Sequence, residues 1–248
     1  MKRIVLGVMV FCTMVCIASS SLWANDKLVL ATLEWEPYIG PNLKDHGYVA
    51  VIVKEAFKRG GYDIEYDFMQ WSRVIGLAKA GRVDGYFPEY YSDELKENNL
   101  ISSPFPGGPL GFFKRKGDDI SYKTLNDLTG NKIGVVMGYV NTVEFDAADF
   151  LTKDESPSDL VNLKKLLANR IRLMVADKFV GLNLLQQNMP DKINEVEFVE
   201  PPLEVKDLYV CIPKNRANAE KIHAAFDKGL AEMNADGTIE KILKDYGF

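Results

Sequence analysis

Apolar positions along the chain switch repeatedly between a two-residue period or unbroken runs and a 3.6-residue period. The run Lys27 to Leu33 reads as a buried strand. Val49, Ile52, Val53, Ala56 and Phe57 then fall at helical spacing, and Gly60-Gly61 closes that helix. Tyr62 to Phe68 predicts a second strand, Trp71 to Ala80 a second helix, and Arg82 to Phe87 a third strand. Strands alternating with helices predict a parallel sheet joined by right-handed crossovers.

The rhythm breaks at Ser102 to Gly117, where prolines and glycines cluster, a composition shift that predicts a domain crossing. A second set follows: a short helix at Leu125 to Leu128, a strand at Lys132 to Met137 and a helix from about Thr142. Asp159 to Asn169 predicts a helix, Ile171 to Val175 a strand, Asp177 to Asn188 a helix and Glu195 to Val199 a strand. Beyond Pro201-Pro202, Asp207 to Ile212 predicts a strand that crosses back. Two C-terminal helices follow, the first with Ile222, Phe226, Leu230 and Met233 on one face. The expectation is α/β, in two lobes of mainly parallel sheet flanked by helices. Lobe 1 is 25–110 plus 209–248 and lobe 2 is 111–208, joined by strands near 108–115 and 204–211.

Residues 1–24 stand outside that plan. Lys2 and Arg3 precede an apolar run from Ile4 to Ile17, and small residues lead to Ala24, the layout of a cleaved signal peptide. Export is the expectation. Cys12 and Cys16 lie inside that segment, so the exported chain keeps only Cys211, read as a buried structural thiol. Thirty Lys+Arg against 35 Asp+Glu give a net charge of −5. Phosphates repel such a surface, so nucleic acid is not an expected partner.

The chemistry-bearing motifs are sparse. Two histidines, His46 and His223, stand far apart without paired cysteines, so no metal site is expected. Gly134 to Gly138 is not followed by Gly-Lys-Ser/Thr, so no nucleotide or other cofactor is expected. Two readings stay open for that turn: a helix N-terminus offering N–H groups to an anionic ligand group, or a plain cap. Aromatic and acidic residues instead gather where the predicted strands end. Glu34, Trp35 and Tyr38 follow the first strand, Trp71 and Arg73 open the second helix, and Glu89 and Tyr90 follow the third strand. Tyr139 and Asp177 occupy the equivalent edge of the second lobe. Carboxyl edges of open α/β sheets bind ligands, and aromatic rings with carboxylates suit a small, partly cationic one. Trp71 and Tyr86 are expected to pack rather than bind. Arg73 reads equally as an anion contact or as a surface charge.

Six segments in order resemble the family 3 periplasmic solute-binding proteins of ABC importers, the polar-amino-acid type: Trp35-Glu-Pro-Tyr38, Gly47-Tyr48, Gly81 to Gly85, Ile101 to Phe105, Leu125 to Val135, and Ala235 to Ile239 with Tyr246-Gly247. The resemblance implies a two-lobe, type II periplasmic-binding-protein-like fold and a monomer that delivers a small polar, amine-bearing or amino-acid-like solute to an inner-membrane permease. It places Trp35 against the ligand, Gly138 and Tyr139 at the ligand carboxylate, and Asp177 at the α-amino group. The family's carboxylate-gripping arginine is Leu95 here, because Ser92-Asp-Glu-Leu95 replaces Thr-x-x-Arg. A cyclohexadienyl-dehydratase-like enzyme on the same scaffold is the alternative.

Overall fold

The computed structural model describes residues 26–248; the expected signal peptide lies outside the described residues. β1 (Asp26–Thr32) pairs in parallel with β2 (Tyr62–Phe68) on one side and with β3 (Gly85–Glu89) on the other. α1 (Tyr48–Arg59) and α2 (Trp71–Lys79) make the crossovers. α1 buries Val49, Ile52, Val53, Ala56 and Phe57, the face its 3.6-residue spacing predicts. Its start is fixed by Gly47 at φ +94°, where a Cβ would lie 2.3 Å from the Tyr38 carbonyl oxygen. β3 begins at Gly85 rather than Arg82. The Asp84 carboxylate accepts the Val29 N–H at 2.8 Å and an Arg216 N–H at 2.6 Å, a side-chain clasp that hydropathy does not reveal.

After α3 (Leu95–Asn98) and the short β4 (Asn99–Ile101), β5 (Phe105–Arg115) leaves the first sheet. The second sheet contains β6 (Lys132–Val136), β7 (Thr152–Ser156) and β8 (Leu173–Asp177) in the order β5-β8-β6-β7. α4 (Val143–Asp146) is a single turn, α5 (Asp159–Leu167) follows β7, and α6 (Lys178–Asn188) follows β8. β7 was not expected. It is a polar edge strand, Thr-Lys-Asp-Glu-Ser, and Asp154 on it pairs with Lys132 and Lys165. Edge strands carry charges where central strands carry apolar runs, so hydropathy does not mark them.

The two strands expected around Pro201-Pro202 are one 18-residue strand, β9 (Val196–Pro213). Its first part pairs antiparallel with β5 and its last residues pair antiparallel with β3 and β4, so β9 belongs to both sheets. Prolines are tolerated there because register irregularities between β5 and β9 release ladder donors. The two-lobe plan thus rests on one strand pair, β5 and β9, and the parallel sheets expected from the pattern are mixed where that pair joins them. α7 (Ala219–Ala235) and α8 (Thr238–Asp245) return to the first lobe, where Phe226 packs on Phe57 with ring centroids 4.9 Å apart. Cys211 is fully buried, and burial pushes its thiol pKa up.

Candidate functional site

The carboxyl ends of β1 and β3 face those of β6 and β8 across the gap between lobes. A small cavity of about 30 Å³ lies there, walled by Trp35, Trp71, Glu89 and Tyr90 from lobe 1 and by Tyr139 and Val140 from lobe 2. A groove of about 940 Å³ adjoins it, reaching Glu34, Asp159 and the exposed face of α6. Trp35, Trp71 and Tyr139 line both. Trp35 stacks on Tyr38 at 4.8 Å and meets Tyr90 edge-on at 5.9 Å, so three rings brace one another at the end of β1.

Carboxylates sit among these rings. Glu89, at the end of β3, is 4% exposed; its Oε1 accepts the Tyr90 N–H at 2.9 Å and its Oε2 has no hydrogen-bond partner among the described residues. Desolvation pushes its pKa up to about 8, partly offset by that N–H and by Lys206. Asp159 opens α5 behind the capping Ser158 and is 5% exposed. Its Oδ2 accepts the Tyr139 hydroxyl at 3.2 Å, and its Oδ1 has no partner of hydrogen-bond geometry among the described residues. Burial raises its pKa to about 7, against the opposing pull of Tyr139, its own backbone N–H and the nearby Trp35 indole. The Tyr90 hydroxyl is likewise buried without a hydrogen-bond partner among the described residues.

Asp177 is arranged differently. As the N-cap of α6 it accepts the N–H groups of Phe179 at 2.8 Å and Val180 at 3.1 Å on Oδ1, and the Tyr38 hydroxyl at 2.9 Å on Oδ2. Both oxygens are occupied, one of them by a side chain of the opposite lobe. Its pKa is about 7, raised by desolvation and by neighbouring Asp159. The same burial, with Asp177 beside it, drives the Tyr38 phenol far above its ordinary range, so Tyr38 stays a proton donor.

The remaining expected site residues divide. Glu34 is exposed on the wall of the groove, whereas Arg73 is exposed on α2 and lines neither the cavity nor the groove. Gly138 contributes its carbonyl oxygen, which accepts the Trp71 indole N–H at 3.0 Å from the other lobe. Neither reading of the Gly138 turn as a helix N-terminus describes it. The Tyr139 N–H bonds the Val136 carbonyl, and α4 starts only at Val143, capped by the Thr142 hydroxyl. Tyr86 is buried in the sheet, and Trp71 is buried yet also bonded across the lobes. Leu95 sits in α3, outside both cavity and groove. Asp159 is the acid the sequence reading passed over, since Ser158-Asp159 at a helix start is also an ordinary capping signal. Among the described residues no three His, Cys, Asp or Glu side chains are close enough to hold a metal ion.

Two lobes on a shared strand pair, with aromatic rings and carboxylates facing across the gap, define a solute-capturing protein. The chain belongs to the bacterial extracellular solute-binding proteins, family 3, whose pattern it matches over residues 29–248. PatH of Vibrio harveyi, whose name assigns it to amino-acid ABC transport, is 27% identical over 80% of this chain and 79% of its own. The arginine-binding extracellular protein ArtP of Bacillus subtilis is 24% identical, over 92% of this chain and 89% of its own. An ancestral arginine-binding protein solved with arginine superposes with a TM-score of 0.73 at 24% identity, covering 89% of this chain and 97% of that one.

Proposed function

We propose that this protein is the periplasmic receptor of an ABC importer and carries a small amine-bearing, amino-acid-like solute to an inner-membrane permease. In this reading residues 1–24 are removed on export, and the monomer closes 25–110 plus 209–248 upon 111–208 by bending β5 and β9. The observation that carries it is the pair of buried carboxylates, Glu89 and Asp159, each with an oxygen that has no hydrogen-bond partner among the described residues, set among the rings of Trp35, Trp71, Tyr90 and Tyr139. Buried acceptors of that kind are stabilised by a donor, and a cation amid ring faces supplies one. The relatives support the solute class, since ArtP is named for arginine, a guanidinium-bearing amino acid. Family membership favours capture over the dehydratase alternative.

The test is a screen of amines and amino acids by thermal unfolding and intrinsic fluorescence. Trp35 and Trp71 are the only tryptophans beyond residue 24, and both line the cavity, so emission reports on this site alone. A ligand at 100 times its Kd stabilises the native state by about 2.7 kcal/mol. That raises Tm by roughly 5–10 °C in a chain this size. A panel covering both classes that moves neither Tm nor emission overturns the reading.

A further inference from the structure

The geometry points to a two-carboxylate clamp, in which Glu89 of lobe 1 and Asp159 of lobe 2 hold the two cationic ends of one dicationic ligand, a diamine or an amino-guanidine. This rests on the amine-capture reading above and assigns the residues and the ligand class within it. Glu89 lies at the inner end, on the small cavity, and Asp159 at the outer end, on the groove. Trp35, Trp71 and Tyr139 form a wall common to both, so an alkyl or aryl spacer runs along one continuous aromatic surface from one acid to the other. Each acid is more than nine-tenths buried and each keeps one oxygen without a partner among the described residues.

The charges facing this pair leave room for two cations. Lys206, the cation beside Glu89, sits 5.3 Å over the Tyr90 ring, and its ammonium bonds Glu204 at 3.2 Å instead of Glu89. Asp159 faces Tyr139, Trp35 and, electrostatically, the further acid Asp177. Asp177 is spent on the Tyr38 hydroxyl and the α6 N-terminus, which makes it a tie between lobes. Unpaired burial holds Glu89 and Asp159 toward the protonated state, and an arriving ammonium at each restores the ionised form and its charge-assisted hydrogen bonds. Among the described residues no unengaged cation lines the cavity or the groove to receive a ligand carboxylate, so a diamine fits the site better than the corresponding amino acid.

The experiment is calorimetric titration of the exported chain, stripped of bound solute by unfolding and refolding, at pH 8. The probes are 1,4-diaminobutane, 1,5-diaminopentane, agmatine, 1-aminobutane and arginine. A diamine or agmatine is expected to bind roughly 10- to 100-fold more tightly than 1-aminobutane, the worth of one further charge-assisted contact. Agmatine is expected to exceed arginine. Glu89→Gln and Asp159→Asn are each expected to erase the dication's advantage while leaving Tm unchanged or raised, because each removes a buried unpaired charge. Asp177→Asn is expected to weaken every probe by the same factor. Equal affinity for diamine and monoamine, a preference for arginine over agmatine, or an advantage that survives both Glu89→Gln and Asp159→Asn overturns the clamp. Binding of amino acids alone overturns the clamp while the capture reading stands. Failure of every probe here and of the wider panel overturns both.

Discussion

Gly229→Ala is expected to unfold about 4–8 °C below the unsubstituted protein, although alanine is the better helix former by about 1 kcal/mol. Gly229 lies inside α7 where that helix crosses α1, and a Cβ there would meet the Ala56 carbonyl oxygen at 1.9 Å and its carbon at 2.7 Å. Both atoms are backbone, so no rotamer change relieves the overlap. The helices must part, and parting them loosens Phe57 against Phe226, both fully buried. Overpacking of this kind costs about 1–3 kcal/mol and at times more. The matched control is Gly76→Ala on the exposed face of α2, where a Cβ meets nothing within 4 Å. There the propensity term acts alone and is expected to raise Tm by about 2 °C. Calorimetric scans of the two variants decide the matter: shifts of the same sign would mean that the α1–α7 crossing is not close-packed.

Between pH 6 and pH 8.5, stability and affinity are expected to move in opposite directions. Glu89, Asp159 and Asp177 have native pKa values raised to about 8, 7 and 7, mainly by desolvation, above the range of an unfolded carboxylate. The native state therefore binds more protons than the unfolded state over roughly pH 4 to 8. Their contribution to the fold is present in full near pH 4, is lost progressively as pH rises toward 7 and 8, and changes little beyond that. The ligand-free protein is thus expected to melt about 5 °C or more higher at pH 6 than at pH 8.5. A cationic solute binds the ionised acids and must displace protons at the lower pH, so its affinity falls there, by roughly tenfold for each proton displaced per pH unit. Carboxylates with lowered pKa, such as Asp127, Asp154 and Asp236, titrate below this window and do not contribute to it. Matched melting and titration series at pH 6, 7 and 8.5 test the pair of trends; an affinity independent of pH would detach these acids from the ligand.

Much of the architecture was legible because it is local. The helical spacing of Val49 to Phe57, the Gly60-Gly61 stop and the apolar run of β1 determine their own conformations wherever they sit. The cavity-lining residues Trp35, Glu89, Tyr90 and Tyr139 gather for a related reason: strand ends in an α/β order put them on one edge of each sheet. What lacked a local signal was missed. β7 is polar because it is an edge, and β9 continues past Pro201-Pro202 because β5 supports it from the side.

By itself the sequence determined the alternation of strands and helices, the family pattern, and the aromatic and acidic character of the gap between lobes. Only the tertiary structure decided which acid keeps an oxygen without a partner among the described residues. Asp177 and Asp159 are both acids at helix starts on the second lobe, yet Tyr38 reaches across to one and not the other. That distinction depends on the distance between residues 139 positions apart, a quantity set by how two lobes meet on a shared strand pair and carried by no segment of the chain alone.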